Sequence, residues 1–452
     1  MTQREHWGSR FGFIMAMASF SVGLGNIWRF PYVVGQNGGA AFLLVYLAFA
    51  ILIGIPLLTA ELSLGRKAQL SPIAGMAKVV GGRSPWMVFA WFGVGTMFVI
   101  TAIYLVLLSW IAGYLWMVVL GSFPSGTISE IQATHGAFVS DSVPVVVYAG
   151  ILMGLSGLLV SSGLTSGLER LAAIAMPTLL VMLILLAVRS LTFAGAGEGL
   201  VWYLQPDFSK LTGAGVLTAL GQAFYSIGVG AAGAFGLGSY LDPKNSDVPG
   251  DATFVVVCDT AVAFVAGLVI FPALFAFGMA PDSGPTLLFV TMPALFEQMP
   301  SGLLFGGAFL FLLLITGLTS VIAVLEVMAS IAHDSLGWSR RRGVGMVTAM
   351  LFLMSVLIVL SQGPWSHIHI LGRDLLGVLD FVVGSYLVPV GGLILALYVA
   401  MSWRWSAFRA ETNVGSGRIR VNATWRPLVQ FIIPAAVALV LLGGVGILSG
   451  TS

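Results

Sequence analysis

The sequence has little charge and almost no cysteine. Only 8% of its 452 residues are Asp, Glu, Lys or Arg, whereas 58% are hydrophobic. Because soluble domains carry about 25% charged residues, this chain cannot cover a water-facing surface and is not expected to be soluble. Its apolar runs also lack the alternation of polar and apolar residues that a membrane β-barrel needs. The composition therefore predicts an all-α polytopic membrane protein, since helices satisfy their own backbone within lipid.

Further absences narrow the function. Cys258 is the single cysteine, so no internal disulfide is possible, and no Cys/His spacing typical of a metal site occurs. The net charge is +2 without a basic patch, which argues against a nucleic-acid partner. No loop is large enough to be an enzyme domain, and no Ser/His/Asp set stands out. We expect no enzymatic activity, no organic cofactor and no obligatory protein partner; the lipid bilayer is the surrounding medium.

Eleven apolar runs are long enough to cross a membrane, which takes about 20 residues. The first begins at Phe11, exceeds signal-peptide length and lacks a suitable cleavage site, so it is interpreted as a membrane helix. The runs lie at 11–36, 40–65, 86–120, 143–162, 167–191, 213–240, 252–279, 301–334, 343–361, 375–402 and 427–449.

Lys and Arg are unevenly distributed between the segments that join these runs. With the N-terminus in the cytoplasm, sixteen of them fall in inside segments and three in outside segments. An excess of Lys and Arg marks the cytoplasmic side. The sequence therefore predicts a cytoplasmic N-terminus and, after eleven crossings, a C-terminus outside.

The first and sixth runs contain a similar interruption. Each has Ser-x-Gly-x-Gly near its middle, at 21–25 and at 226–230. Two glycines so close together disfavour a continuous helix. Close helix packing through small residues is the alternative interpretation of one such site. The same pattern five runs apart favours paired broken helices in a five-plus-five inverted repeat, which marks a midplane binding site in transporters.

Broken helices expose backbone groups inside the membrane, where they need partners. Freed N–H groups at a half-helix N-terminus attract a carboxylate, and freed carbonyls attract a cation. A zwitterionic amino acid together with Na⁺ would satisfy both. The segment 228–233 also reads G-x-G-x-x-G, but without a preceding strand it does not predict a dinucleotide site.

The motifs around these interruptions resemble the neurotransmitter:sodium symporter family, in its bacterial hydrophobic or aromatic amino-acid branch. The likeness runs over nearly the whole chain. The family is itself a known example of inverted repeats, so the two inferences are not independent. The motifs are Arg4-Glu5-His6-Trp7, Gly23-Leu24-Gly25-Asn26-Ile27-Trp28-Arg29-Phe30-Pro31, Asn37-Gly38-Gly39-Ala40-Ala41-Phe42, Glu61-Leu62-Ser63-Leu64-Gly65-Arg66, Gly167-Leu168-Glu169-Arg170, Ala175-Met176-Pro177, Gln222-Ala223-Phe224-Tyr225-Ser226 and Gly317-Leu318-Thr319-Ser320.

The resemblance implies two sodium sites built from oxygen ligands. The first would use the Ser21 carbonyl, Asn26, Ser226 and Asp259 together with the substrate carboxylate. The second would use the carbonyls of Ser19, Val22 and Thr316 and the hydroxyls of Thr319 and Ser320. Interhelical hydrogen bonding is the alternative role of the last two hydroxyls.

The resemblance also implies a substrate pocket between the first, third, sixth and eighth runs. Tyr104 would hydrogen-bond the substrate carboxylate, and Phe20 would lie nearby. Small residues at Gly228 and Ala231, with no charge aimed at the pocket, favour tryptophan, phenylalanine, tyrosine or leucine as substrate. The expected substrate-binding residues are Ser21, Gly23, Leu24, Gly25, Ile100, Tyr104, Tyr225, Ser226, Gly228, Ala231, Ser320 and Val324.

Asp259 lies inside an apolar run, where an ionisable residue is by default functional. In the family that this chain resembles, chloride-dependent members have Asn at this position, and some chloride-independent members have Glu one turn later. Here one turn later is Ala263. Asp259 can itself supply the negative charge, so we expect transport to be independent of chloride.

Gates and a hinge are implied in the same way. Arg29 and Asp380 resemble the extracellular pair, and Arg4, Trp7, Tyr240 and Asp334 resemble the intracellular latch. Gly167 and Pro177 match a spacing associated with unwinding of the fifth helix. On physical grounds alone, the proline frees one backbone bond, so a hinge is reasonable.

The expected architecture is one integral membrane domain in three parts. Residues 1–191 would form the first repeat, 192–402 the second, and 403–452 an internal loop plus the eleventh helix. The expected function is Na⁺-coupled symport of a hydrophobic or aromatic L-amino acid by alternating access in a bacterial inner membrane. A non-transporting amino-acid receptor, or a Na⁺ symporter of another small organic solute, is the alternative.

Overall fold

The computed structural model describes residues 6–161, 165–244, 246–281, 287–415 and 417–444. In the helix Thr165–Leu191 the side chains are described from Ala172 onward. Within these residues the chain is helical and has no strand beyond one isolated bridge, Ile370 to Arg373. Large apolar side chains such as Leu158, Val181 and Leu353 are exposed on the outer faces of the helices. Such a surface suits lipid rather than water.

Nine helices in the described part of the chain are long and apolar enough to cross a membrane. We number the spans in chain order, with spans 1 and 6 interrupted. The nine are span 2 (Ala40–Ala68), span 3 (Met87–Leu120), span 4 (Ser142–Ser161), span 5 (Thr165–Leu191), span 7 (Val248–Ala276), span 8 (Gly302–Leu336), span 9 (Arg340–Leu360), span 10 (Leu375–Met401) and span 11 (Trp425–Gly443).

Span 1 consists of two helices, Arg10–Ser21 and Gly25–Gln36, which meet at an angle of 43°. The break covers three residues, and Val22 is extended, with φ −77° and ψ 124°. With this pair counted as one span, ten crossings meet the criteria of length and hydropathy in the described residues. The first of the two predicted interruptions is therefore present.

Span 6 consists of the helices Gly213–Ile227 and Gly233–Gly238, separated by five residues. Within the break Gly228, Gly230 and Ala232 all have positive φ, at 78°, 86° and 57°. Each half is too short to qualify alone as a membrane helix, so the count of eleven crossings stays a prediction. The second predicted interruption is also present, and it is longer than the first.

Four π turns widen the spans in the described part of the chain, and the sequence pattern did not predict them. Each ends two residues before a proline, and proline both removes a backbone N–H and crowds the preceding turn. The rule is not general, because span 5 continues through Pro177 without such a turn. The π turns are Gly25–Arg29, Ala50–Gly54, Val383–Leu387 and Leu428–Ile432.

Several connections between spans, predicted only as loops, contain short helices. Ile128–Ser140 begins at a capping box, in which Thr127 and Glu130 exchange hydrogen bonds. Leu287–Glu297 packs against this helix and against span 8. The remaining connecting helices are Pro72–Val80, Ala196–Leu204 and Trp405–Thr412.

Candidate functional site

A cavity lies between spans 1, 3, 6 and 8, beside both helix breaks. It has an empty volume of about 560 Å³. Both broken spans pack against span 8 in the described structure. The cavity is lined by Phe20, Ser21, Gly25, Met97, Ile100, Thr101, Tyr104, Tyr225, Gly228, Ala231, Ser320, Val321 and Val324.

One end of the cavity is polar because the break in span 1 frees backbone donors. The Leu24 N–H donates to the Tyr104 hydroxyl at 3.0 Å, and the Gly23 N–H donates to the Asn26 side-chain oxygen at 3.0 Å. A Cβ on Gly23 would lie 2.0 Å from the Tyr104 hydroxyl. Only glycine therefore lets Tyr104 approach the break, and the oxygen of a carboxylate could compete for the same donors.

The other end is apolar and is shaped by Phe20. A Cβ on Gly228 or on Gly233 would lie 2.3 Å from an atom of the Phe20 ring. The two glycines thus let the ring lie flat against the break of span 6. Ile100 and Val324 belong to the same apolar lining. The cavity therefore matches a hydrophobic amino acid, with donors at one end for a carboxylate and an apolar lining at the other end for a side chain.

Most of the predicted substrate-binding residues line this cavity, but Gly23, Leu24 and Ser226 lie just behind it. Met97, Thr101 and Val321 line it and were missed. The signal was available for all three, because helix neighbours three or four residues apart share a face. Met97 and Thr101 stand at that spacing from Ile100 and Tyr104, and Val321 lies three residues before Val324.

Three of the residues expected in the first sodium site surround Asp259. The Asn26 side-chain nitrogen donates to an Asp259 carboxylate oxygen at 2.7 Å and to the Ser226 hydroxyl at 3.0 Å. The Ser226 hydroxyl lies 3.0 and 2.8 Å from the two carboxylate oxygens and can donate its proton to one of them. The fourth residue, Ser21, lies nearby and donates through its hydroxyl to the Ile227 carbonyl at 3.0 Å.

The Asp259 carboxylate is fully buried. Among the described residues, no Lys, Arg or His forms an ion pair with it. A buried charge normally requires an opposite charge or a metal. The oxygen-rich donor set therefore fits a small hard cation, which would bind through the Asn26 oxygen only after that amide turns over.

The second expected sodium site brings together residues of spans 1 and 8. The Ser320 hydroxyl donates to the Ser19 carbonyl at 2.5 Å, across the two spans. The Thr319 hydroxyl donates to the Thr316 carbonyl at 2.6 Å. Val22 lies in the adjacent break. These hydroxyls and carbonyls are all uncharged, so this cluster differs from the first in having no carboxylate.

The predicted outer pair is formed directly above the cavity. Arg29 Nε donates to Asp380 at 2.8 Å, and its guanidinium lies 4.9 Å from the centre of the Tyr225 ring. Gln222 accepts a second Arg29 bond at 2.5 Å, and Tyr32 donates to the other Asp380 oxygen. The Arg29 end of the cavity is therefore closed by a buried polar layer.

The side of the cavity that faces away from Arg29 is closed by the residues around Trp7. The Trp7 indole donates to the Leu237 carbonyl at 3.2 Å, and its ring lies 6.2 Å from that of Tyr240. Tyr240 donates to Glu326 at 2.9 Å. Asp334 accepts from the Ser71 N–H at 2.7 Å. Arg4, the fourth residue of the predicted latch, lies outside the described residues.

Two further ion-pair groups at the Trp7 end were not singled out from the sequence. Arg10 bridges Asp247 and Asp251 at 2.8 and 2.7 Å. Arg66, wholly buried, binds Glu411 of the Trp405–Thr412 helix. These contacts tie the start of span 1 to the start of span 7, and the end of span 2 to the Trp405–Thr412 helix.

The Gly167 and Pro177 positions both lie within span 5, which is helical from Thr165 to Leu191. No unwinding occurs between them in this conformation. Their function as a hinge therefore stays a prediction.

Glu61 of span 2 supports the break of span 6. Its carboxylate accepts from the Gly230 N–H at 2.9 Å and from the Phe235 N–H at 3.3 Å. The side chain is completely buried. A carboxylate that takes up freed N–H groups at a half-helix N-terminus stabilises the interruption.

Sequence comparison places the chain beside sodium-dependent transporters. The model described as the Sodium:neurotransmitter symporter family matches residues 4–141 and 142–448. An uncharacterised sodium-dependent transporter of Bacillus subtilis, YhdH, is 37% identical over 444 residues, which cover 98% of each chain. A second uncharacterised sodium-dependent transporter, from Haemophilus influenzae, is 30% identical over 451 residues, covering 97% of this chain and 98% of the relative.

Structural comparison gives a similar picture. The crystal structure of MhsT in complex with L-phenylalanine superposes with a TM-score of 0.92 at 37% identity. The match covers 98% of this chain and the whole of the MhsT chain. The arrangement of spans around the cavity is therefore shared with a protein solved with an aromatic amino acid.

Proposed function

This chain belongs to the sodium:neurotransmitter symporter family, and we propose that it carries a hydrophobic or aromatic L-amino acid together with Na⁺. The resemblance of the first-span motif is thereby confirmed. The family consists of sodium-dependent symporters rather than enzymes. The choice of substrate, the ion sites and the chloride independence are the proposed part.

The substrate proposal depends on one observation above all: a polar helix break and an apolar pocket face the same cavity. Tyr104 and the Leu24 N–H meet at 3.0 Å at the polar end. A substrate carboxylate would insert there, accept from both groups and extend its side chain over Ile100 and Val324 towards Phe20. L-Phenylalanine bound to MhsT is consistent with this class of substrate.

Two sodium ions would enter with the substrate as co-transported ions. At the first site Na⁺ would neutralise Asp259 and be ligated by the Ser21 carbonyl, Asn26, Ser226 and the substrate carboxylate. This shared ligand couples ion and substrate binding. The second ion would bind the carbonyls of Ser19, Val22 and Thr316 and the hydroxyls of Thr319 and Ser320.

Chloride independence follows from the charge balance at Asp259. A permanent carboxylate beside the first sodium supplies the negative charge that chloride would otherwise bring. Asp259→Asn keeps the hydrogen-bonding shape and removes this charge. We expect at least a tenfold weaker apparent Na⁺ affinity, because an ion contact worth about 1.5–3 kcal/mol is lost. If Na⁺ dependence of uptake were unchanged, Asp259 would not be a sodium ligand.

Alternating access would use the two closed layers as gates. Opening of the Arg29–Asp380 layer admits solutes from outside, and opening of the Trp7, Tyr240, Asp334 and Arg4 latch releases them inside. Gly167 and Pro177 would loosen span 5 beside the latch. This assignment has the N-terminus in the cytoplasm, the C-terminus outside and the protein in a bacterial inner membrane, with 1–191 and 192–402 as inverted repeats.

The direct test is uptake of radiolabelled tryptophan and leucine into proteoliposomes, with Na⁺ or K⁺ outside and with chloride or gluconate. Na⁺-driven uptake that is unaffected by gluconate supports the whole proposal. Dependence on chloride would contradict the role of Asp259 alone. Na⁺-dependent binding without uptake would indicate a receptor, and absence of both from folded protein would indicate another organic solute.

A further inference from the structure

Three elements meet around His135 at the Arg29 end of the protein. His135 lies on the Ile128–Ser140 helix and stacks on Phe289 of the Leu287–Glu297 helix, with ring centres 5.2 Å apart and planes at 8°. Trp110 and Tyr114 of span 3 contact the same imidazole edge-on, at 5.5 and 5.9 Å. We call these two connecting helices the outer lid.

A chain of hydrogen bonds passes through this contact. His135 Nδ1 lies 3.0 Å from the Tyr114 hydroxyl, which in turn donates to the Phe289 carbonyl at 3.2 Å. A hydroxyl has one proton to donate, so Nδ1 must carry a proton and donate to Tyr114 for both bonds to exist. The neutral tautomer protonated at Nδ1 therefore links both lid helices to span 3.

The other imidazole nitrogen is buried without a partner. His135 is 3% exposed, and its Nε2 makes no hydrogen bond within the described structure. A second proton would have to be carried by Nε2, as a charged donor facing aromatic rings. Burial lowers the pKa of His135 from 6.5 to about 4 for this reason.

Among the described residues, the other ionisable groups around the lid do not compensate such a charge. Glu130, on the same helix, is held by Thr127, and hydrogen bonds from the Thr127 backbone lower its pKa. Asp141 is exposed at the other end of that helix. Glu297 of the second lid helix accepts from the Gly126 N–H at 2.9 Å. Tyr114 is the titratable group in contact from span 3.

The apolar contact between the two lid helices is small. Ile131 packs against Val290 and Ala294 in a cluster separate from the main core. The Ile128–Ser140 helix buries only Ile131 and His135, whereas the Leu287–Glu297 helix is buried in the main core. The His135 contacts are therefore a substantial part of what holds the Ile128–Ser140 helix on span 3.

We propose that neutral His135 is the positioning residue that docks the Ile128–Ser140 helix of the outer lid, and that its protonation from outside undocks this helix. The inference goes beyond substrate and ion binding. It rests on the proposed function only in one respect, the orientation that puts the lid on the outer face of the membrane. In transport, a more acidic exterior would favour the state in which the Arg29 end opens.

The direction of the effect follows from linkage. The docked state has the lower pKa, so its stability is complete above the undocked pKa of 6.5 and falls as the pH decreases towards 4. Between pH 7.5 and pH 5.5 the ratio of undocked to docked lid should rise about tenfold. Little further change is expected above pH 7.5.

Hydrogen exchange of the full-length reconstituted protein tests the proposal without any transport step. Protection factors are corrected for the intrinsic pH dependence of exchange and compared at pH 7.5 and 5.5. Protection in 128–140 should fall about tenfold in wild type, while 287–297 and spans 3 and 8 stay protected. A wild-type lid with unchanged protection would overturn the proposal.

Variants assign the effect to His135. His135→Asn keeps a neutral donor near the Nδ1 position and cannot titrate, so its lid protection should be equal at both pH values. Tyr114→Phe should lower lid protection already at pH 7.5. The control His369→Asn, in an exposed segment, should respond like wild type. An undiminished acid response in His135→Asn would exclude His135 as the sensor. Uptake measured separately decides whether the protein transports.

Discussion

Spans 1 and 6 are interrupted at similar sequences, yet the two interruptions differ in length and in backbone geometry. The break in span 1 covers three residues and bends the helix by 43°. The break in span 6 covers five residues, three of them at positive φ. Similar glycine patterns thus give a bend in one span and an unwound segment in the other.

The partners of the freed backbone groups also differ. In span 1 they are uncharged groups at the cavity, the Tyr104 hydroxyl and the Asn26 amide. In span 6 the partner is the Glu61 carboxylate, buried behind the cavity. The comparison indicates that the break of span 6 is a fixed part of the fold, whereas the donors of span 1 are available for exchange with a ligand.

The strongest test of this comparison is the same substitution at equivalent motif positions. Gly230→Ala requires alanine at φ +86° with its Cβ 2.6 Å from the Gly392 nitrogen. We expect a loss of roughly 2–5 kcal/mol in the free energy of unfolding, from left-handed backbone strain and overpacking. Thermal unfolding in detergent, followed by the fraction of monodisperse protein, measures it.

The matched control is Gly25→Ala. Its Cβ would meet the Tyr225 ring at 3.4 Å, an ordinary contact, and its backbone is helical. We expect a change in unfolding free energy within about 1 kcal/mol. Equal destabilisation by the two alanines would contradict the distinction between the breaks.

A smaller effect is expected when Glu61 is changed to Gln. The amide can accept from one of the two N–H groups and presents a donor to the other. The expected loss is about 1–3 kcal/mol of unfolding free energy. Glu198→Gln, on an exposed position of the Ala196–Leu204 helix, should change stability by less than about 0.5 kcal/mol. A Glu61 variant as stable as this control would show that the carboxylate does not hold the break.

The smallest change in stability, but a clear change in binding, is expected for Tyr104→Phe. It removes the hydroxyl that meets the Leu24 N–H and would reach the substrate carboxylate. Substrate affinity should fall about tenfold, corresponding to about 1.4 kcal/mol. Tyr148→Phe, on span 4 and outside the cavity lining, serves as the control in the same scintillation-proximity binding assay. Unaltered binding by Tyr104→Phe would remove the carboxylate role from span 1.

Much of this arrangement could be predicted because it depends on residues that are costly within a membrane. Asp259 stood out as a charge inside an apolar run, and the glycine pairs stood out as helix breakers. The Arg29–Asp380 pair was predicted from the resemblance to the family. Helix periodicity would also have predicted Met97 and Thr101 as lining residues, because they share a helix face with Ile100 and Tyr104. Their spacing is a local property and needs no tertiary information.

The rest depends on tertiary contacts that local pattern does not contain. The two lid helices are short. His135 lies in a connection, and no local pattern indicates that it packs against Phe289 and Tyr114. The length of the break in span 6 depends on Glu61, which lies in another span. The similar Ser-x-Gly-x-Gly sequences therefore could not distinguish a three-residue from a five-residue interruption.

The π turn at Ala50–Gly54 has a consequence for Glu61, which follows it in span 2. A π turn contains one residue more than the α turn it replaces, and one residue corresponds to about 100° around a helix axis. Removing the extra residue would restore an α turn with the same rotation and shorten the span by only about 1.5 Å, so the Glu61 carboxylate would still face Gly230. The same deletion in the α-helical residues between Gly54 and Glu61 would instead turn the carboxylate away by about 100°. The π turn is therefore a reserve of one residue, and the position of a deletion in span 2 decides whether it shortens the helix or twists it.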